Sequence, residues 1–135
     1  MPENMLISLR FRRIWLGIGW SLVMIVIILS LIPAPAITQT FRYVDKISHM
    51  FSYFVLMGWF AQIYHSSRQR LYYLIGFVLL GMGLEILQDF GGIRHADWLD
   101  ACANSIGVIL AWYLTKNQGG NLLNYMMGKN ILKIR

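Results

Sequence analysis

Four long apolar stretches, separated by short polar segments, dominate the pattern of the chain. The first covers residues 14–32 without a charged side chain and stops at Pro33, which cannot continue a helix. As a helix it would be about 28 Å long, close to the hydrocarbon core of about 30 Å. The other three stretches are residues 47–64, 71–90 and 98–115. The pattern predicts an all-α polytopic membrane protein, with a four-helix transmembrane bundle in residues 14–115.

The first stretch has a second interpretation, as a cleaved signal peptide. Arg10, Arg12 and Arg13 precede it, and residues 34–36 (Ala-Pro-Ala) resemble a cleavage site. The apolar run is longer than the apolar region of about 7–15 residues that is usual in signal peptides. We therefore expect the stretch to be retained as a transmembrane helix.

The distribution of basic residues predicts the orientation. Short connections make neighbouring helices antiparallel. With the N-terminus inside, nine of the twelve Lys and Arg residues fall on the cytoplasmic side, and Arg42, Lys46 and Arg94 fall outside. The positive-inside rule then predicts that both termini are cytoplasmic. The terminal segments are the basic segment 1–13 and the tail 116–135. Within the tail, the apolar residues of 121–135 have helical spacing, which predicts a helix on the membrane surface; a frayed tail is the alternative.

The composition agrees with lipid as the solvent around most of the chain. Hydrophobic residues make up 57% and charged residues 13%, against about 25% charged in soluble domains. The net charge of +6 could indicate nucleic-acid binding. However, the basic residues flank the apolar stretches as topology requires, so no nucleic-acid partner is expected. The one cysteine, Cys102, excludes an internal disulfide and is expected to be a packing residue.

Acidic residues gather at the outer end of the predicted bundle. Five of the six, Asp45, Glu85, Asp89, Asp97 and Asp100, map there. A carboxylate at the bilayer centre costs about 2.5–3.5 kcal/mol, so such residues usually face a partner or a wet cavity. Asp45 and Asp97 could simply cap their helices, with Asp100 completing a capping box, and Asp89 could be interfacial. Glu85 lies too deep in its helix for capping, and an apolar setting would favour its protonated form.

Three helices carry polar residues spaced three or four apart, which places each set on one helix face. The sets are Asp45, His49 and Tyr53; Glu85 and Gln88; and Asp97, Asp100 and Asn104. All three lie at a similar outer depth, beneath Arg94 and His95 of the loop. The alternative to a functional site is a hydrogen-bond network that holds the helices together. Polar contacts between membrane helices stabilised one measured protein by only about 0.6 kcal/mol each. So many acidic residues would therefore be a costly way to hold helices together, and the whole set favours a functional site.

The same residues resemble a known family. Asp45, Lys46, His49, Tyr53, Glu85, Gln88, Arg94, Asp97, Asp100, Asn104 and Gly107 follow the pattern of the VanZ-like family of bacterial integral membrane proteins, over roughly residues 41–114. Met50 stands where an aromatic residue is frequent, and Gly92 where a proline often precedes the arginine; neither change removes a polar group. The resemblance implies a multi-pass protein of the bacterial cytoplasmic membrane. The resemblance also implies a possible link to low-level resistance to teicoplanin, which is the property of the founding member of the family. It implies no known reaction.

The first functional hypothesis is an enzyme or binder that acts on an anionic, lipid-linked molecule of the cell envelope. Glu85 would be the general acid or base, Asp100 its ionised partner and His49 a proton relay. Substrate binding is assigned to Lys46, Arg94, Asp45, Gln88, Asp97 and Asn104. Of these, Lys46 and Arg94 would hold a phosphate or carboxylate.

Two other functional hypotheses remain, and the first hypothesis has a variant in which a metal ion is bound. A non-enzymatic protein could use the polar cluster as a scaffold and present its outer face to a partner. A proton-coupled carrier is less favoured, because the inner half has no acidic residue to complete a relay. No cofactor is predicted, although zinc or manganese could bind among His49, Glu85, Asp97 and Asp100.

Overall fold

The structure, a computed structural model, describes residues 3–36, 40–64 and 66–116, without the side chains of residues 3–10 and 42. The described chain is all-helical and contains no strand. Its four long helices are α1 (Glu3–Ser30), α2 (Arg42–Ile63), α3 (Ser67–Phe90) and α4 (Trp98–Thr115). The predicted all-α fold is confirmed. The surface helix predicted in residues 121–135 lies outside the described residues.

The helices extend beyond the apolar stretches that predicted them. α1 begins at Glu3 rather than Ile14, and it ends at Ser30, shortly before the prolines at 33 and 35. α2 and α3 each begin about one turn earlier than predicted, so Arg68 and Arg70 belong to α3 and not to a connection. Hydropathy marks only the apolar part of a helix, whereas backbone hydrogen bonding continues into polar flanks. α4 has the predicted bounds.

Two of the four described helices are long and apolar enough to cross a bilayer, judged by length and composition. They are Phe11–Ser30 within α1 and Ser67–Phe90, which is α3. α2 and α4 do not meet the same criterion. Two apolar helices give weak support for a membrane protein, and a bundle of four spans stays a prediction.

Glycines allow the closest helix contacts. The most extensive contact joins α2 to α4. There, a Cβ atom on Gly107 would collide with the Met50 carbonyl oxygen, so the two backbones can approach only because the residue is glycine. α1 makes a smaller contact with α2, where a Cβ on Gly19 would lie 3.0 Å from the Phe60 ring. Cys102 of α4 is exposed, so the packing role expected for it is wrong.

The bundle has two chemically different ends. One end, which we name the cluster end because charged side chains gather there, is formed by the first turns of α2 and α4, the last turns of α3 and the loop 91–97. The opposite end is named here the Arg70 end. The buried Arg70 donates from Nε to the Tyr64 carbonyl at 2.8 Å and from Nη1 to the Thr115 carbonyl at 2.7 Å. These carbonyls lie at the ends of α2 and α4, where helices leave C=O groups unpaired, so Arg70 fastens two helix termini.

Candidate functional site

A glycine turn places the loop that carries Arg94. α3 ends at Phe90, and Gly92 adopts φ +62°, a left-handed conformation that glycine adopts without steric cost. The N–H groups of Ile93 and Arg94 then donate to the Gln88 carbonyl, at 3.1 and 3.4 Å. The loop is thereby folded back over the end of α3, with the Arg94 side chain directed at α2.

Asp100 lies at the centre of the cluster of charged side chains. It is only 1% exposed. Its Oδ1 accepts from Lys46 Nζ at 2.7 Å, and its Oδ2 accepts from Arg94 Nη2 at 3.3 Å. Lys46 Nζ also donates to Asp97 Oδ2 at 2.8 Å. One buried carboxylate therefore connects a lysine of α2 with an arginine of the loop. We name Asp45, Lys46, His49, Arg94, Asp97 and Asp100 the charged cluster.

Asp45 is the principal partner of Arg94. Arg94 Nη2 donates to Asp45 Oδ2 at 2.5 Å, and Nη1 lies 3.5 Å from Oδ1. Hydrogen bonding to Asp45 raises the pKa of the Arg94 guanidinium, so the arginine stays charged. The N-cap of α2 is Phe41, without a side-chain cap. The capping alternative for Asp45 is therefore wrong, because its carboxylate is used by Arg94.

His49 connects the charged cluster to α4. Its Nδ1 lies 3.1 Å from Asn104 Oδ1. Its Nε2 lies 3.8 Å from Asp45 Oδ1 and 3.9 Å from Asp100 Oδ2. When Asn104 accepts the Nδ1 proton, Nε2 is left with its lone pair directed between two carboxylates. The polar faces of α2 and α4 therefore meet as their spacing predicted.

The caps of α4 differ in part from the prediction. Asp97 is the N-cap, and its Oδ1 accepts from the Leu99 N–H at 2.9 Å, as expected. Asp100 does not complete a capping box, since its carboxylate faces Lys46 and Arg94. Instead, the Asp97 N–H donates to Glu85 Oε2 at 3.3 Å. The expectation that Glu85 is too deep for capping is wrong, because α4 begins beside Glu85 on the neighbouring helix.

A cavity of about 230 Å³ opens beside the charged cluster. Its polar lining includes Asp45, His49, Arg94 and Gln88; the Gln88 amide donates to the Ser30 carbonyl of α1 at 2.6 Å. Its apolar wall comes from α1 and the segment after it: Val26, Leu29, Ile32, Ala34 and Pro35. Tyr53 also lines the cavity. Within the described chain its hydroxyl is buried and has no hydrogen-bond partner.

Glu85 is placed apart from this cavity. It is 6% exposed and lines a smaller, apolar pocket between α3 and α4, together with Met82, Trp98 and Ala101. Electrostatic interactions still reach it from Asp100 and His49. Lys46, Asp97 and Asn104 hold the charged cluster together without lining the cavity. The predicted site residues are therefore brought together, but they divide into a cavity wall and a supporting layer.

The structure suggests a different metal-ligand set from the predicted one. In the described chain, ligand atoms of Asp45, His49 and Asp100 lie within 4.8 Å of one another. The prediction named His49 and Asp100 together with Glu85 and Asp97. Glu85 instead accepts from a backbone N–H, and Asp97 caps α4, so Asp45 takes their place in the candidate set.

Two features of the site were missed from the sequence. The apolar cavity wall belongs largely to α1, but a helix that is apolar on all sides gives no signal of which face meets a cavity. Tyr53 was noted in the polar stripe of α2 without a role. Its position four residues after His49 was the available signal, because that spacing puts both side chains on one helix face.

Comparisons with protein families, with curated proteins and with solved structures found no match to this chain. The VanZ-like resemblance therefore stays a prediction that rests on the residues themselves.

Proposed function

We propose that the chain is a VanZ-like, multi-pass protein of the bacterial cytoplasmic membrane that binds an anionic, lipid-linked molecule of the cell envelope. In this proposal the chain crosses the membrane four times, both termini are cytoplasmic, and the cluster end faces outward. The observation that carries it is the cavity, which has a charged wall from Asp45, His49 and Arg94 and an apolar wall from α1. A phosphate on a long hydrocarbon chain has the same two-part chemistry.

The distribution of side chains supports a lipid surrounding for all four helices. The buried polar groups include Glu85, Gln88, Asp100 and Asn104. Large apolar side chains are exposed along every helix, for example Leu29, Phe51, Leu79 and Ile109. In water this arrangement would be unfavourable, since soluble proteins avoid extended exposed apolar surfaces. In a bilayer it is the expected one, because polar groups turn to the bundle interior.

Arg94 is the residue we assign to the anionic group. It is partly exposed, lines the cavity and holds Asp45 through both terminal nitrogens. A guanidinium has five donors, so it can donate to a phosphate while it keeps one contact to Asp100. The phosphate would displace Asp45 from the bidentate position that arginine offers to anions. Lys46 supports this arrangement from behind, by holding the other oxygen of Asp100.

Binding is better supported than catalysis. His49 lines the cavity, whereas Glu85 does not, so an acid or base role for Glu85 would have to act through Tyr53. That residue lines the cavity and interacts electrostatically with Glu85. The catalytic roles of Glu85, Asp100 and His49 stay predictions, as does any link to teicoplanin resistance. Neither is needed for binding.

A non-enzymatic scaffold is the second candidate function. One observation favours it: Lys46 and Arg94 are already paired with carboxylates of the chain, and these pairs join α2, α4 and the loop. A scaffold would need the pairs and not the cavity. The carrier hypothesis receives no support, because Arg70 and the stacked rings of Tyr64 and Tyr73 pack the opposite end of the bundle.

The experiment that tests the proposal has two parts, of which the first is orientation. Single cysteines replace Arg94 and Arg68 in a Cys102→Ala background, and an impermeant thiol reagent is added to spheroplasts. We expect labelling at position 94 and none at position 68. The opposite pattern would place the cluster end in the cytoplasm and remove the outer-leaflet ligand from the proposal.

The second part is binding by the purified, full-length protein in detergent. Native mass spectrometry compares a polyprenyl phosphate with the polyprenol of the same length. We expect a preference for the phosphate. We also expect Arg94→Gln to weaken binding of the phosphate at least tenfold, which is about 1.4 kcal/mol. The matched control is Arg68→Gln, an exposed arginine of α3 far from the cavity. Equal binding of both lipids, or equal loss in the two variants, would favour the scaffold.

A further inference from the structure

We infer that Asp45, His49 and Asp100 form a divalent-cation site at the cluster end, and that Arg94 and the cation occupy it alternately. The site goes beyond the proposed lipid binding and can exist without it. Three ligand atoms on two helices, His49 Nε2 and one oxygen each of Asp45 and Asp100, would hold the ion. The chemical class of the ligand is a borderline divalent ion such as Zn²⁺ or Mn²⁺, because the donors are one imidazole and two carboxylates.

The distances fit such an ion after small movements. His49 Nε2 lies 3.8 Å from Asp45 Oδ1 and 3.9 Å from Asp100 Oδ2, and all three atoms lie within 4.8 Å of one another. Zinc binds nitrogen and oxygen at about 2.0–2.2 Å in a tetrahedral arrangement, which sets its ligand atoms about 3.3–3.6 Å apart. Side-chain shifts of about 0.5 Å at His49, and of at most about 1.3 Å between the two carboxylates, would bring all three atoms within reach of one ion.

Asn104 prepares His49 for this role. His49 Nδ1 lies 3.1 Å from Asn104 Oδ1, and because an amide oxygen only accepts, a hydrogen bond here requires the tautomer with the proton on Nδ1. Nε2 is then the free coordinating atom, and it faces both carboxylates. Histidines that bind metals commonly donate their other N–H to an oxygen in this way, which fixes the ring and its tautomer.

Tyr53 gives an independent indication of a polar ligand in the cavity. Its side chain is 1% exposed, and within the described chain its buried hydroxyl has no hydrogen-bond partner. Tyr53 lies one turn after His49 and lines the same cavity of about 230 Å³. Buried polar groups are normally satisfied, and an ion or an ordered water accounts for many that lack a protein partner. A hydrated cation beside His49 brings water ligands to this hydroxyl.

The charges define the competition with Arg94. Within the charged cluster, Asp45, Asp97 and Asp100 supply three negative charges when ionised, and Lys46 and Arg94 supply two positive ones. Once Arg94 has moved away, two negative charges remain, which a divalent cation balances. Arg94 Nη2 contacts the same Asp100 Oδ2 that faces His49 Nε2, and it carries the same sign of charge as the ion, so the guanidinium must withdraw from this oxygen when an ion binds there. The released Arg94 is then available to an anion in the cavity, so cation and phosphate should bind cooperatively.

The experiment titrates Zn²⁺, and separately Mn²⁺, into the metal-free full-length protein in detergent, by isothermal titration calorimetry. We expect one ion per chain. Arg94→Gln should bind the ion at least tenfold more tightly, because the competing cation is gone. Asp45→Asn and His49→Gln should each weaken binding at least tenfold. The matched control is His95→Gln, an exposed loop histidine beside Asp89, which should not change the affinity.

Thermal unfolding of every variant shows whether it is folded. The Arg94→Gln variant keeps the test decisive, because a gain in affinity cannot come from misfolding. Absence of binding in both the wild type and Arg94→Gln overturns the cation site. An equal loss in the His49 and His95 variants does the same. Polyprenyl phosphate binding that persists in EDTA, together with a negative titration, overturns the cation site and leaves the proposed function intact.

Discussion

At the cluster end a buried carboxylate is shared by two cations, whereas at the Arg70 end a buried cation is shared by two backbone carbonyls. Asp100 accepts from Lys46 and Arg94, and Arg70 donates to the carbonyls of Tyr64 and Thr115. Side-chain partners can be exchanged for a ligand, but the carbonyls at helix ends are fixed by the fold. The comparison indicates that the Arg70 end holds the bundle closed, while the cluster end is arranged to change partners.

The surroundings of the two ends differ in the same way. Near the Arg70 end, Trp15 stacks on Trp59, and Tyr73 stacks on both Phe60 and Tyr64. Trp59 also donates to the Trp15 carbonyl at 2.9 Å, which fastens α1 to α2. Beside the charged cluster the packing opens instead into the cavity, where the hydroxyl of Tyr53 is unsatisfied within the described chain. Packing thus secures one end and leaves room for a ligand at the other.

The largest expected effect comes from Asp100→Asn. The substitution keeps the shape of the side chain but leaves Lys46 without its buried partner and weakens the hold on Arg94. Removal of one member of a buried ion pair typically costs about 3–5 kcal/mol. We expect a decrease of about 3 kcal/mol in the free energy of unfolding, measured by denaturant titration in detergent micelles. A decrease below about 1 kcal/mol would show that the cluster end does not depend on this carboxylate.

Arg70→Met should have a smaller effect and one of a different kind. Methionine keeps the apolar part of the side chain, and each hydrogen bond from a charged donor is worth about 1.5–3 kcal/mol. Water can reach carbonyls at helix ends, so we expect a decrease of about 2 kcal/mol in the free energy of unfolding. Zn²⁺ affinity at the other end should not change. A loss of affinity as large as that of Asp45→Asn would mean that the two ends are not independent.

Glu85→Gln should have the smallest effect on stability. The amide oxygen of glutamine can accept the same N–H of Asp97, and loss of the charge lowers the cost of insertion. We expect a change below about 1 kcal/mol in the free energy of unfolding. Asn104→Leu, which removes the contact to His49, should cost more. If Glu85 has the predicted acid–base role, the folded variant should fail to complement a strain that lacks the gene, measured by an envelope phenotype such as glycopeptide sensitivity. Full complementation by the folded variant contradicts that role.

Helical spacing explains what could be predicted. Residues three or four apart share a face, so the common face of Asp45 and His49 and that of Asp97, Asp100 and Asn104 followed from the sequence, as did the bounds of α4. The pairing of particular charges did not. Asp45 meets Arg94 because a left-handed turn at Gly92 folds the loop back, and no spacing rule describes that turn. The part played by α1 was also hidden, since an evenly apolar helix has no marked face.

The close approach at Gly107 decides which wall of the cavity can yield. Because the backbones of α2 and α4 touch there, these helices form a rigid pair that carries Asp45, His49 and Asp100. α1 supplies the opposite, apolar wall through a smaller contact with α2. In the membrane arrangement that we propose, a molecule that enters sideways from the bilayer would part α1 from α2 and leave the rigid pair undisturbed, so that α1 would act as a lateral gate.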